Sequence, residues 1–299
     1  GGSIKNTEGQ VVERESAYNY IQVIREDSCN YLLLNEGQAA HSFKCDEGLV
    51  PYVSVWSAML AAPYFNQTFN PPSRAAVIGL AGGTIPEQFL RVFPDMTIDG
   101  IEIDPEIIDI GRDYFSLDDP RIRSIAADGR FGLNQLSGSY DVITIDAYRV
   151  PYIPWHMTTI EFFQEVQAQL SPDGVVAINV GRVPEDRRLI EALTATMLEV
   201  YPVVYTVDIP GTLNTILYAP QNPEGAGFEA LSVHFSQLEA TADPLVTQTL
   251  LVAINNQQPT VAGEIVFTDN RAPVETIVDS LVVRYLLRSG LGGLPAPIN

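Results

Sequence analysis

The stretch from Arg74 to Gly129 constrains this chain more than any other. Arg74-Ala75-Ala76-Val77-Ile78 is a short apolar run ended by Gly79, the pattern of a buried strand. Gly79-Leu80-Ala81-Gly82-Gly83 is a turn of small residues. Thr84 is placed to cap the next helix, and Pro86 falls in its first turn, where a missing N–H costs nothing. A second strand, Thr97 to Glu102, ends in an acid, and Asp104-Pro105-Glu106 opens a helix. A third strand, Ile122 to Ala126, runs into Asp128-Gly129. Strand, glycine turn, helix, strand, acid, helix, strand, acid is the order of a nucleoside-binding half of a doubly wound α/β sheet.

The residue types suit that chemistry. A glycine turn lets backbone approach a ligand closely, and the helix start behind it is expected to offer free N–H groups. Glu102 stands where a carboxylate accepts hydrogen bonds from both ribose hydroxyls, and Asp128 where one meets an exocyclic adenine amine. The dinucleotide fingerprint requires glycine at its first, third and sixth positions. Counted from Gly79 these are Gly79, Ala81 and Thr84, so two of three fail. Asp128-Gly129 favours a nucleoside of the S-adenosylmethionine type instead. A glycine-rich turn with no ligand competes for the turn taken alone; Glu102 and Asp128-Gly129, in phase with it, weigh against that.

The 299 residues suffice for a sizeable core, as one large domain or one with a small appendage. A formal net charge of −20 argues against nucleic acid as a partner, because phosphates call for a basic surface. It favours a small cationic substrate, although a solvated acidic surface without a message is the plainer reading. Cys29 and Cys45 lack metal-ligand spacing, and two reduced thiols are favoured over a cross-strand disulfide, which leaves the compartment open. His41, His156 and His234 are scattered, so no metal is expected. No run of about 18 apolar residues occurs, so no membrane span is expected. Gly1-Gly2-Ser3 reads as a cloning remnant, with the natural chain expected to begin upstream.

Residues up to about 10 read as disordered. Tyr18 to Arg25, Tyr31 to Leu34 and Gln38 to Lys44 form a small β-meander, too thin to be stable alone. Gly48 to Leu60 reads as a helix with Val50, Val53, Trp56 and Leu60 on one face. We place a small β domain over residues 1–65 and a Rossmann-like domain over residues 66–299. After Gly129 come a strand Tyr140 to Asp146, a helix opened by the Thr158-Thr159-Ile160-Glu161 capping box, and a strand Val175 to Val180. A helix Pro184 to Val200, a hairpin from Val203 to Tyr218 and a last helix from Asp269 to Leu287 follow.

In this order the motifs resemble the spermidine synthase family, polyamine aminopropyltransferases with a class I methyltransferase fold, and in particular its divergent spermidine-synthase-like branch. The resemblance rests on Tyr18-Asn19-Tyr20-Ile21-Gln22-Val23, Leu34-Asn35 with His41-Ser42, and Asp46-Glu47. It continues through the Gly79–Thr84 turn, Glu102-Ile103-Asp104-Pro105, Asp128-Gly129-Arg130, Asp141 to Asp146, and Thr268-Asp269-Asn270-Arg271-Ala272-Pro273-Val274-Glu275. It implies a seven-stranded, mostly parallel sheet with helices on both faces, a small N-terminal β domain and often a homodimer. It also implies a cytoplasmic protein, or the soluble part of a larger membrane-attached one. The ligand it implies is S-adenosylmethionine or its decarboxylated form, with methylthioadenosine as the product. The positions matching the family's nucleoside site are His41, Gly79, Ala81, Gly82, Gly83, Thr84, Glu102, Ile103, Asp128, Gly129 and Asp146.

Asp146 also matches the family's acid that helps deprotonate the attacking amine, and Tyr148 lies on the loop over the expected reaction centre. Arg149 is a candidate for a substrate carboxylate, with a plain surface arginine as the alternative. His156 is a candidate substrate ligand or base, with packing at a helix start as the alternative. The departures are also specific. The acid that family members carry after the glycine turn is Thr84, the second acid after the fourth strand is Arg149, and a Tyr-His-Glu is replaced by Val50-Pro51-Tyr52. Each charge-assisted hydrogen bond to an ammonium is worth about 1.5–3 kcal/mol, so these losses argue against ordinary spermidine synthesis. The expectation is a spermidine-synthase-like transferase moving an aminopropyl group to an amine. The alternatives are methyl transfer from S-adenosylmethionine to a small nucleophile and a non-catalytic nucleoside-binding module.

Overall fold

The computed structural model describes residues 7–35, 40–46, 54–147, 153–183 and 186–289. The chain opens with four strands, β1 (Gln10–Glu15), β2 (Tyr20–Glu26), β3 (Cys29–Leu34) and β4 (Ala40–Cys45), paired antiparallel in that order. The meander thus has a strand more than expected. β1 carries Glu13, Arg14 and Glu15 among its six residues and shows no alternation to reveal it. The register of β3 on β4 sets Cys29 directly opposite Cys45, and the two form a disulfide. The expectation of two reduced thiols is therefore corrected.

A helix start is capped by Ser54, whose side chain and that of Ser57 satisfy each other's backbone N–H. This α1 (Val55–Ala58) runs on as a 3₁₀ segment, Met59–Phe65, fully buried. The expected helix from Gly48 to Val53 lies outside the described residues. The alternation then follows: β5 (Arg74–Ile78), α2 (Thr84–Val92), β6 (Thr97–Glu102), α3 (Pro105–Tyr114), β7 (Ile122–Ala126), α4 (Gly129–Gln135) and β8 (Tyr140–Ile145). It continues with α5 (Ile160–Gln169), β9 (Leu170–Gly181), α6 (Arg188–Leu198), β10 (Tyr205–Asp208) and β11 (Asn214–Pro220). The chain ends with α7 (Phe228–Leu238), α8 (Pro244–Asn255), β12 (Gln257–Gln258) and α9 (Val274–Ser289).

The large sheet runs β7-β6-β5-β8-β9-β11-β10-β12. β5 to β9 are mutually parallel, and β11 lies antiparallel to β9. The seven expected strands are present, and an eighth is added by Gln257 and Gln258, which pair with Val207 and Thr206 at the edge. Two glutamines carry no apolar pattern, so this strand was invisible in the sequence. Helices cover both faces. Leu133, Phe162, Leu193 and Ile277 pack on one face, and Met59, Phe89, Leu231 and Leu250 on the other. Double coverage is why the central strands read as unbroken apolar runs.

The small sheet packs Ile21, Val23 and Leu32 against Ile107, Ile110 and Phe115, on and just after α3. It thereby stands over the carboxyl edge of β5 and β6. β5 lies between β6 and β8, so the chain departs in opposite directions from this point and leaves a crevice. Among the described residues, no helix is long and apolar enough to cross a membrane.

Candidate active site

Gly79 turns the chain out of β5 with φ +86°, and a Cβ there would stand 2.4 Å from the Asp146 carbonyl oxygen. Only glycine tolerates both the dihedral and the contact. The turn is thereby laid against the end of β8, where the Asp146 N–H donates to Ile78 O at 2.8 Å. Ala81 takes the left-handed conformation (φ +46°) without being glycine, at a cost of about 1–2 kcal/mol. Its N–H donates to Glu102 Oε2 at 2.9 Å, which holds it there.

Every amide of the turn is spent. Gly79 and Leu80 donate to Ile101 O, Gly82 donates to Ser42 Oγ, and Gly83 donates to Leu80 O. The turn therefore presents close-packed backbone rather than free donors, with Gly79, Gly82 and Gly83 set against Asp146, Ser42 and Leu117. A pyrophosphate would need those donors. A sulfonium nucleoside carries no phosphate and does not.

Thr84 is also corrected. The helix cap is Gly83 (φ +98°), and Thr84 is the first helical residue, 2% exposed. Its hydroxyl accepts from the Phe43 N–H (3.0 Å) and donates to Phe43 O (3.2 Å). It is turned to β4 and committed to holding it. His41, one residue before Ser42, is half-buried, and burial draws its basicity below the ordinary histidine range.

The acids arrive from successive strand ends. Glu102 closes β6 at 8% exposure, with Oε2 on the Ala81 N–H and Oε1 on the Asp104 N–H (3.1 Å). Burial pushes its carboxyl upward, and the backbone donors pull the other way. The Ile103 backbone also bonds this carboxylate, and three backbone donors on four lone pairs leave acceptor capacity for a ribose hydroxyl. Ile103 follows, an exposed apolar side chain beside that acid. Asp104, fully buried, caps α3 and accepts from Ser16 Oγ and Asn19 Nδ2, tying the β1–β2 turn to the site. Asp128 caps α4, and His156 Nε2 lies 2.8 Å from its Oδ2. A side chain at Gly129 would strike Ile78 and Met157.

Asp146 follows β8 and accepts from Asn179 Nδ2 at 2.9 Å. Burial raises its carboxyl above the ordinary range, and the Asn179 bond opposes this. Sequence reading missed Asn179, although a lone amide inside Val175-Val176-Ala177-Ile178-Asn179-Val180 was a signal. Tyr148 and Arg149 lie outside the described residues. Among the described residues, no group of His, Cys, Asp and Glu is arranged to hold a metal.

The profile of the spermine/spermidine synthase domain matches residues 65–219, which is over half of the chain. The chain belongs to the spermine/spermidine synthase family. As a transferase of that family it is 31% identical, over 310 aligned residues, to a probable polyamine aminopropyl transferase of Bifidobacterium longum, covering 94% of this chain and 68% of the relative. It is also 31% identical over 166 residues to the human eEF1A lysine and N-terminal methyltransferase, covering 51% of this chain and 24% of that protein. Among solved structures, a probable spermidine synthase from Corynebacterium glutamicum shares the fold, with a TM-score of 0.63 at 19% identity over 90% of this chain and all of that one.

Proposed function

We propose that the protein transfers an aminopropyl group from decarboxylated S-adenosylmethionine to a cationic amine, leaving methylthioadenosine. The carrying observation is Asp146, a half-buried carboxylate whose pKa burial raises and whose backbone abuts the Gly79 turn. The donor would supply an alkyl carbon activated by a sulfonium. The residues present fit it: Glu102 would accept from the ribose, Ile103 would lie against the base, Asp128 would accept from the base amine, and the turn, its amides already bonded, would hold no phosphate. An ammonium is no nucleophile. Asp146 orients it and takes its proton, and a carboxyl raised by burial is a stronger base than an ordinary one. The charge of −20 suits a cationic acceptor.

Methyl transfer is the second reading, favoured by the likeness to the human methyltransferase and by the absence of charge at Thr84. Calorimetric titration with S-adenosylmethionine, its decarboxylated form and methylthioadenosine, followed by mass spectrometry of an amine panel, separates the two. Preference for the decarboxylated donor, with a product heavier by an aminopropyl group, supports the proposal. Preference for the intact donor moves it to methyl transfer, and binding of none of the three overturns both. The Cys29–Cys45 disulfide weighs against a cytoplasmic location, because disulfides persist in oxidising compartments. Thiol trapping of the protein directly from cells tests that.

A further inference from the structure

The two oxygens of Asp128 have different duties. Oδ1 accepts from the Arg130 N–H (3.1 Å) and the Phe131 N–H (3.2 Å), which fills both its lone pairs. Oδ2 faces His156 Nε2 at 2.8 Å. A carboxylate has no proton to give, so Nε2 is the donor and Oδ2 keeps one lone pair. Among the described residues, nothing else donates to it. The Asp128 side chain is 37% exposed, so this lone pair is reachable from the crevice.

The imidazole is itself held. His156 lies on the short 3₁₀ turn Trp155–Met157 after β8, and its carbonyl accepts from Arg130 Nη1 at 3.1 Å. Arg130 grips Glu165 through two bonds (2.6 and 2.8 Å) and Asp269 through two more (2.7 and 2.9 Å). Thr159 Oγ1 donates to the same Asp269 at 2.7 Å. Trp155 stands edge-on to the imidazole, 5.9 Å between ring centres. The Asp269 segment, far off in sequence, thus reaches the base end of the site through Arg130.

We propose that His156 is a positioning residue for nucleobase selection: by filling one lone pair of Asp128 Oδ2, it aims the remaining one at a single N–H donor. This rests on the nucleoside reading above. An adenine amine satisfies that lone pair. A hypoxanthine, with a carbonyl oxygen at the same place, sets oxygen against oxygen. Arg130 and Asp269 support the selection at one remove, by fixing the turn that carries the ring.

The test compares the Kd of methylthioadenosine with that of methylthioinosine by calorimetry, in the wild-type protein, His156→Ala, His156→Gln and Asp269→Ala. The wild type is expected to favour the adenine form. His156→Ala is expected to lose about tenfold for the adenine form and little for the inosine form, the size of one hydrogen bond to a charged group. His156→Gln, which keeps an N–H donor, is expected to recover most of the ratio, and Asp269→Ala to lower it by a smaller factor. An unchanged ratio in His156→Ala, or an equal loss for both ligands, overturns the positioning role while leaving the nucleoside site standing. Wild-type protein that binds neither ligand overturns the nucleoside reading, and this inference with it.

Discussion

The Thr84 hydroxyl and the Phe43 backbone exchange two hydrogen bonds across the junction of the small sheet and the glycine turn. Thr84→Val keeps the shape and removes both, leaving a buried N–H and carbonyl without partners. The expected loss is about 1–3 kcal/mol, read from the urea midpoint. Thr84→Ser is expected to retain most of the stability. A Thr84→Val protein of wild-type stability but weaker nucleoside binding would instead make Thr84 a ligand contact.

Asp146 joins function to instability. Burial raises its carboxyl in the folded state above the unfolded value, so ionisation opposes folding. Stability from this group is greatest below the unfolded pKa and falls as pH rises through the folded one. Asp146→Asn is therefore expected to raise the melting temperature at neutral pH while lowering kcat by about 10²–10⁴. Wild-type activity is expected to fall on the acid side with a midpoint above the usual carboxylate value of about 4. Melting curves and a pH–rate profile check both.

The Arg130 cluster has the opposite sign. Arg130 holds Asp269 below the ordinary range. Burial pushes Glu165 up, but bonds from Arg130 and Asn134 outweigh it and leave it low. Stability from depressed carboxylates is present above their unfolded pKa and lost as pH falls through the folded one, here below about pH 4. Arg130→Met is expected to flatten this acid slope, and to weaken the protein at neutral pH by setting Glu165 and Asp269 side by side unpaired. Denaturant midpoints measured from pH 2.5 to 7 resolve the two effects.

The Cys29–Cys45 disulfide closes a loop of 16 residues and staples the strand that carries Ser42 and Phe43. Its removal by Cys29→Ser with Cys45→Ser is expected to cost about 3 kcal/mol on the chain-entropy account. Loosening is expected first in β4, seen as faster hydrogen exchange at Ser42 and Phe43. Exchange unchanged there, with destabilisation elsewhere, would detach the disulfide from the turn.

Much of the fold was legible because its signals are local. Val77 to Gly79, Glu102 and Asp128-Gly129 each declare a strand end within a few residues, and their order implies the doubly wound sheet. Asn179 was equally local, a polar residue in an apolar strand, and was passed over. β1 and β12 were not legible, since neither Gln10–Glu15 nor Gln257–Gln258 shows periodicity; pairing with neighbours makes them strands.

The sequence by itself determined the carboxyl edge: which strands end there and which acids they bring, because strand and turn propensities act over a few residues. Only the tertiary structure decided how those groups are employed. Thr84 faces Phe43, the turn amides are consumed by Ser42 and Glu102, Cys29 meets Cys45, and His156 meets Asp128. Each pairs residues between 16 and 41 positions apart. Such partners are chosen by the register and packing of separate elements, where each buried donor and acceptor must find a mate, and no local pattern encodes that choice.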